Sequence, residues 1–289
     1  MGDVFYIRPS TVQSYLLCPA RTGLRGQEGF NYLPNETLLF GSVTHWLIEQ
    51  IQERGGDVPR IDELLAAMQA VYVKDAPDEL KDSKLTAVTT RAQRMTLADG
   101  ALEASELWLS QVERNLPSDP HVEETLEMEI GIWGERPVVL RGTPDSVWPE
   151  VGLVADWKTA GRAWDAKKIE GQLQRIYYPM MATEHYDEAF IRFDYWVFNR
   201  DKSVWDQHKA PAPTEAEMHA AREMAMAVAG SMIETSWTFA PAGQAFHATR
   251  GWHCSPKYCD AWAVCPGKHL IRDGKANQRA ITIKERWSE

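Results

Sequence analysis

Arg141-Gly142-Thr143-Pro144-Asp145-Ser146-Val147-Trp148, followed by the turn Pro149-Glu150-Val151-Gly152 and then by Leu153-Val154-Ala155-Asp156-Trp157-Lys158-Thr159-Ala160, is the stretch on which the reading of this chain turns. Residues Val138 to Trp148 are rich in β-branched and aromatic types, and Leu153 to Lys158 is a short apolar run that ends in charge. That pattern predicts a β-hairpin. Side chains two apart on a strand share a face, so Asp156 and Lys158 point the same way, and Asp145 on the neighbouring strand is placed to reach them.

Two carboxylates and a lysine at the end of a buried sheet suit a divalent cation. Carboxylates are hard oxygen ligands for Mg²⁺ or Mn²⁺, and an ammonium group stabilises negative charge that develops on a phosphate. Taken alone, Asp156 and Lys158 read more readily as a surface ion pair, which is a common arrangement.

The surrounding motifs favour the first reading. Gly142-x-x-Asp145, then Asp156-x-Lys158, then Gln174-x-x-x-Tyr178 on the helix that follows resemble the core of the PD-(D/E)XK nuclease superfamily, specifically the RecB-like branch that includes the Cas4/AddB-type iron–sulfur exonucleases. The resemblance implies catalytic roles for Asp145, Asp156, Lys158, Gln174 and Tyr178, and Gly41-x-x-x-His45 resembles the same family's histidine signature. A lone helical histidine is more often a core or surface residue. On the resemblance, His45 joins Asp145 and Asp156 as a metal ligand.

Working outward towards the N-terminus, Ser10 to Gln13 has the form of a capping box that opens a helix as far as Cys18, with Pro19 ending it. Residues Leu38 to Arg54 carry Phe40, Val43, Leu47, Ile48 and Ile51 at helical spacing, closed by Gly55-Gly56. A helical insertion is predicted over about 60–118. Its Lys81, Lys84, Arg91 and Arg94 either line a strand channel or form a solvated face, and the interspersed Asp75, Asp78, Glu79 and Asp82 favour the latter. His121 to Trp133 alternates as a strand bearing Glu123, Glu124, Glu127 and Glu129. In related nucleases a glutamate of this strand approaches the metal, and Glu129 is the candidate; a solvent-facing row of glutamates explains the same pattern.

Towards the C-terminus, Asp165 to His185 reads as one helix with Gln174 and Tyr178 a turn apart. Ala189 to Arg200 and Lys202 to Gln207 read as a hairpin, and Pro213 to Thr235 as a methionine-rich amphipathic helix. The four cysteines fall as Cys18 alone and Cys254, Cys259 and Cys265 together. Four thiolates complement a [4Fe–4S] cluster or a structural zinc. One N-terminal and three C-terminal cysteines around a nuclease core is the arrangement of the iron–sulfur Cas4/AddB nucleases, although the spacing Cys-x4-Cys-x5-Cys differs at its first interval from their Cys-x2-Cys. The resemblance therefore implies a cluster, held by a segment at about 250–270, that joins the two ends of the chain.

Composition bounds these readings. With 289 residues, 44% hydrophobic and 25% charged, the chain suits one catalytic domain over 1–289. No apolar run approaches a membrane span and no signal peptide is evident, so a cytoplasmic protein without membrane partners is expected. A net charge of -10 argues against a protein that merely coats nucleic acid, but not against a nuclease whose metal offsets its acidic ligands. Of twelve tryptophans, Trp133, Trp148, Trp157 and Trp164 cluster near the proposed site, mostly as core, with one or two placed to stack on unpaired bases.

The expected fold is α/β, with a restriction-endonuclease-like mixed central sheet flanked by helices. The expected activity is metal-dependent exonucleolytic cleavage of DNA at single-stranded ends, in recombination, repair or replication. No phosphate-binding motor motif is present, so unwinding would fall to a helicase or recombination partner. A nuclease subunit of a spacer-acquisition complex and a catalytically silent nucleic-acid-binding scaffold are the alternatives.

Overall fold

The computed structural model describes residues 3–25, 36–65 and 91–238, together with positions 249, 251, 254, 259, 261 and 265. The chain divides into two compact units, one formed by Met1–Pro9 with Leu33–Ala225 and the other by Ser10–Tyr32 with Met226–Glu289.

Among the described residues, eight strands build two mixed sheets in the first unit. β1 (Phe5–Ile7), β4 (Arg136–Gly142) and β3 (Leu126–Trp133) form a three-stranded sheet in that order, with β1 parallel and β3 antiparallel to β4. The second sheet runs β2 (His121–Val122), β5 (Ser146–Trp148), β6 (Leu153–Ala160), β7 (Arg192–Asn199) and β8 (Val204–Pro211). Its one parallel pair is β6 with β7, the crossover between them being helical. The single central sheet expected from sequence is thus two, and the division falls inside the decisive stretch. Thr143, Pro144 and Asp145 lie outside any strand, so Val138 to Trp148 is two strands in different sheets. Proline has no N–H to offer a ladder, which gives the break its local cause. The predicted hairpin survives as β5 and β6, joined by a 3₁₀ turn at Pro149–Val151 and paired Ser146 to Ala155, Val147 to Val154 and Trp148 to Leu153.

Three helices cover the five-stranded sheet. α3 (Glu36–Glu53) and α4 (Arg91–Gln111) follow α1 (Pro9–Leu17) and α2 (Pro19–Arg25) in chain order. The odd-numbered residues of β6 face α3 and α4. Leu153, Ala155 and Trp157 join Trp148, Trp196, Phe198 and Trp205 in one buried core with Phe40, Val43, Leu47, Leu97, Ala101, Ala104 and Trp108. Trp108 meets Trp157 edge to face with ring centroids 5.5 Å apart. Each fully buried aromatic contributes about 2–3 kcal/mol from the area it removes from water. The even-numbered Asp156 and Lys158 therefore face the other way, towards α6 (Gln174–Tyr186), which follows the short α5 (Ala166–Glu170).

One helix predicted over Asp165 to His185 is in fact two, because the chain leaves helical pairing between Gly171 and Leu173. Asp165 caps α5 by accepting from the Lys168 amide at 2.8 Å. The predicted strand over His121 to Trp133 is also two, β2 in one sheet and β3 in the other, separated at Glu123, whose φ is +48°. α7 (Glu215–Thr238) begins with a reciprocal cap, in which Glu217 N–H donates to Thr214 Oγ1 at 3.2 Å and Thr214 N–H donates to Glu217 Oε2 at 2.9 Å.

α1, which belongs to the second unit from Ser10 onward, starts at Pro9 instead of being capped at Ser10, as proline at a first helical position allows, and it stops at Leu17, one residue before Cys18. Tyr15 and Ser231 share a hydrogen bond of 2.5 Å. Leu24, Cys259, Ala261 and Cys265 form one small buried cluster. Of the predicted insertion, 61–65 and α4 are helical, while Lys81 and Lys84 lie outside the described residues.

Candidate active site

His45, Glu123 and Asp145 converge so that one ligand atom from each lies within 4.8 Å of the others. Each comes from a different element, and small residues set their approach. His45 sits on α3 one turn beyond Gly41, where an added Cβ would lie 3.1 Å from Thr159 Oγ1 of β6. The bare glycine lets the helix run close to the strand. Further along α3, Gln52 Nε2 donates to Ser146 Oγ at 3.1 Å, tying the helix to β5 beside Asp145.

Asp145 is buried and spends both oxygens on neighbours. Oδ1 lies 2.9 Å from His45 Nδ1, and Oδ2 accepts from the Trp157 amide at 2.5 Å. Burial would raise its pKa, but His45, Lys158 and the Trp157 N–H outweigh that and hold it below the ordinary carboxylate value. Burial likewise opposes the charged form of His45, yet Asp145 prevails and its pKa is raised.

Asp156 and Lys158 are in direct contact on the α6 face of β6, as their two-residue spacing requires. Burial raises the Asp156 carboxyl to about 6, with Asp145 adding to the effect and Lys158 opposing it. For Lys158, burial lowers the pKa but the two aspartates overcome it, so the ammonium is held charged. Gln174 Nε2 lies 3.5 Å from Asp156 Oδ2 and donates to the Tyr178 hydroxyl at 3.1 Å. Tyr178 in turn donates to the Thr143 carbonyl at 3.3 Å. Gly142 makes this possible, because a Cβ there would lie 2.7 Å from Tyr178 Cε1.

The structure thus brings His45, Asp145, Asp156, Lys158, Gln174 and Tyr178 to one place, but the ligand atoms that converge are those of His45, Glu123 and Asp145, and Asp156, expected as a ligand, pairs with Lys158 instead. Glu129 is not among them. It lies exposed on β3, while Glu123, six residues earlier, occupies the position beside Asp145. Glu123 N–H donates to the Asp145 carbonyl at 3.2 Å, and burial followed by the adjacent Asp145 charge raises its own carboxyl to about 8. A left-handed φ at a non-glycine residue costs about 1 kcal/mol, and nothing in the alternation around Glu123 announces it. One signal was available. Val122, Leu126, Met128 and Ile130 define the apolar face, and Glu124 interrupts it. Glu49, one turn beyond His45, is a second residue missed; burial, then Glu53 and Asp145, raise its pKa.

Of the tryptophans, Trp148 and Trp157 are core. Trp164 is half-buried against Tyr195 at 5.5 Å, with Lys168 Nζ 4.4 Å from its ring centroid.

No family model matches the chain, and no curated protein does. A solved structure does match. It is that of a candidate exonuclease from Eubacterium rectale, 11% identical, with a TM-score of 0.51 over 98% of this chain and 93% of that one. The chain shares the α/β fold of that protein. The crystal structure of SSO0001 aligns with 78% of this chain and 96% of its own at 15% identity, but its TM-score of 0.39 is too low to bear on the question.

None of the four cysteines is in a disulfide, and all four belong to the second unit. Cys18, Cys259 and Cys265 are buried, whereas Cys254 is partly exposed and its thiol donates to the Thr249 carbonyl at 3.1 Å. No described helix is long and apolar enough to cross a membrane.

Proposed function

We propose that this protein is a metal-dependent deoxyribonuclease of the RecB-like, Cas4/AddB type, acting as an exonuclease on single-stranded DNA ends. The observation that carries the proposal is the convergence of His45, Glu123 and Asp145 beside the pair of buried Asp156 and half-buried Lys158. The donor set fits a hard or borderline divalent cation such as Mg²⁺ or Mn²⁺, since it offers one imidazole and carboxylate oxygens. Buried carboxyls crowded enough for one to hold its proton up to about pH 8 are a site short of positive charge. When bound, the cation would polarise a phosphoryl oxygen and acidify a bound water.

The remaining work falls to side chains of this chain. Lys158, held charged, would offset the negative charge that grows on a scissile phosphate. Asp156, with its carboxyl at about 6, is ionised at neutral pH yet basic enough to take a proton from an attacking water. Gln174 and Tyr178, bonded to each other, hold that carboxylate from the helix side and offer polar contacts to a substrate strand.

The test is digestion of end-labelled single- and double-stranded DNA with Mn²⁺, Mg²⁺ or EDTA. Cation-dependent release of label from single-stranded ends is expected. Intact DNA under every condition would refute the reading and leave the silent scaffold.

For the second unit we propose a [4Fe–4S] cluster on Cys18, Cys254, Cys259 and Cys265. Support comes from their placement in one unit built from both ends of the chain, with Cys259 and Cys265 in the same buried cluster. Thiolates are soft ligands suited to iron and the carboxylate site is hard, so the two centres would be chemically separate. A helicase or recombination partner, or a spacer-acquisition complex, would supply DNA ends.

A further inference from the structure

We infer that Glu124 is a positioning residue that fixes Glu123 at the metal site, and that it does so by fastening the β2–β3 corner to the far end of α6. The inference rests on the metal-site reading given above. β2 holds only two residue pairs with β5, His121 with Val147 and Val122 with Ser146, before the chain turns at Glu123 and enters the other sheet at Leu126. A corner so short, with a left-handed non-glycine residue at its apex, needs ties beyond its own ladder to stay in one conformation.

Glu124 supplies them. Its carboxylate accepts from the Tyr186 hydroxyl at 2.6 Å, faces His121 Nδ1 at 2.7 Å and faces His185 Nε2 at 3.1 Å. Both histidine rings also pack edge-on against the Tyr186 ring, at 5.2 Å for His121 and 4.7 Å for His185. On either side of Glu124 the corner is stitched to the loop that carries Asp145. Glu123 N–H reaches the Asp145 carbonyl at 3.2 Å, and Thr125 and Thr143 hydroxyls lie 3.1 Å apart. The Glu124 partners His185 and Tyr186 end the same helix whose first turn presents Gln174 to Asp156. One helix of 13 residues, with Pro179 inside it, thus meets Asp156 at one end and Glu124 at the other.

The cluster around Glu124 is not itself a cation site. Among the described residues, only His45, Glu123 and Asp145 bring three such ligand atoms within 4.8 Å of one another. A carboxylate bonded to a phenol and facing two imidazoles, yet left out of the ligand set, acts on the ligand Glu123 through the backbone the two residues share.

The test is calorimetric titration of Mn²⁺ into the full-length protein at fixed pH, with a thermal melt of each variant. Glu124→Ala is expected to weaken Mn²⁺ binding by about 10-fold, the lower end of what loss of a partner bonded directly to a ligand costs, because Glu124 acts through the backbone of Glu123. Tyr186→Phe keeps the ring contacts, loses the shortest hydrogen bond, and is expected to weaken binding by a smaller factor in a protein that melts normally. Glu124→Gln, which retains an acceptor oxygen, should recover part of the Glu124→Ala loss. In a Glu123→Gln background, Glu124→Ala should have no further effect on Mn²⁺ affinity. Wild-type affinity in both Glu124→Ala and Tyr186→Phe, or an equal loss with and without Glu123, would overturn the inference. A wild-type protein that takes up no Mn²⁺ would instead overturn the metal-site reading beneath it.

Discussion

Replacing Gly142 with alanine should disable the site without touching any charged group. The added methyl would sit 2.7 Å from Tyr178 Cε1, 2.9 Å from Met181 Cε and 3.4 Å from Pro9 Cδ. Carbon atoms pack at about 3.5–4.0 Å, so the ring must retreat by about 1 Å. It has little room to do so, because it stacks on Phe193 at 6.3 Å and its hydroxyl is bonded to Gln174 and the Thr143 carbonyl. Overpacking of this kind costs about 1–3 kcal/mol, and each hydrogen bond lost adds about 1 kcal/mol. A total of about 2–4 kcal/mol in a unit of this size lowers Tm by about 5–12 °C. Gln174 would move with the ring away from Asp156, so cleavage should fall about 10-fold or more at temperatures where the variant is folded. Calorimetry gives the first quantity and release of end label gives the second. The control is Gly142→Ala combined with Tyr178→Ala, which removes the clash and should cost less stability than the two single changes added together. Additive losses, or an unaltered melting point in Gly142→Ala, would refute the contact as the reason for the glycine.

Asp145→Ala, Asp156→Ala and Lys158→Ala should each reduce cleavage by at least about 10²-fold, and near-wild-type digestion by any of them would remove that residue from the mechanism. His45→Ala should weaken activity and narrow the preference for Mn²⁺ over Mg²⁺, since a nitrogen ligand favours the former; a metal profile unchanged in the mutant would return His45 to the core. The metal-free protein should lose stability as pH rises from about 4 to 8. In that window the unfolded chain releases protons that Asp156 and Glu123 retain up to about 6 and about 8, while the raised His45 loses its favourable charge as it deprotonates. Melting curves in EDTA should show the fall, Glu123→Gln should flatten its upper part, and the gain from Mn²⁺ should grow between pH 6 and 8 as ligands ionise; a flat EDTA profile counts against the crowded-carboxyl account. Protein purified without air should be brown and contain iron and sulfide, with Cys18→Ala or Cys259→Ala colourless and aggregating while Asp145→Ala stays brown; about one zinc per chain would replace the cluster and leave the nuclease reading intact.

What could be read from the sequence was what depends on fixed local spacing. Asp156 and Lys158 meet because strand side chains alternate, and Gln174 bonds Tyr178 because a helix returns after four residues. The bounds of α3 were legible for the same reason, within two residues, and the β7–β8 hairpin was legible in kind, although β7 starts at Arg192 and not Ala189 and β8 runs over Val204–Pro211 and not Lys202 to Gln207. What could not be read was where a continuous pattern changes partners. His121 to Trp133 keeps one alternation across two sheets, and the break depends on a backbone conformation at Glu123 that tertiary ties impose. Glu129 was named because the resemblance places a glutamate of this strand near the metal, whereas the kink brings in Glu123. The division of Val138 to Trp148 had a visible marker in Pro144, but a proline at that point is compatible with an edge position as well as with a change of sheet.

The motif glycines show why short sequence signatures can specify a site assembled from distant parts of the chain. Gly41 is defined by Thr159, next to Lys158, and Gly142 by Tyr178, four residues after Gln174. Each glycine is therefore half of a contact whose other half lies beside another motif. The first contact sets the depth of His45 relative to β6, and the second sets the depth of Gln174 relative to Asp156. A carboxylate displaced by 1 Å is a poor ligand or base, so the charged residues act at their stated distances only while both glycines remain bare. Gly41→Ala meets the end of a side chain that can rotate, while Gly142→Ala meets an aromatic ring fixed on three sides. The cost should therefore be unequal, with Gly41→Ala the milder change in both melting temperature and cleavage. The reverse order would mean that the approach of α3 to β6, and not the seat of Tyr178, limits the geometry of the site.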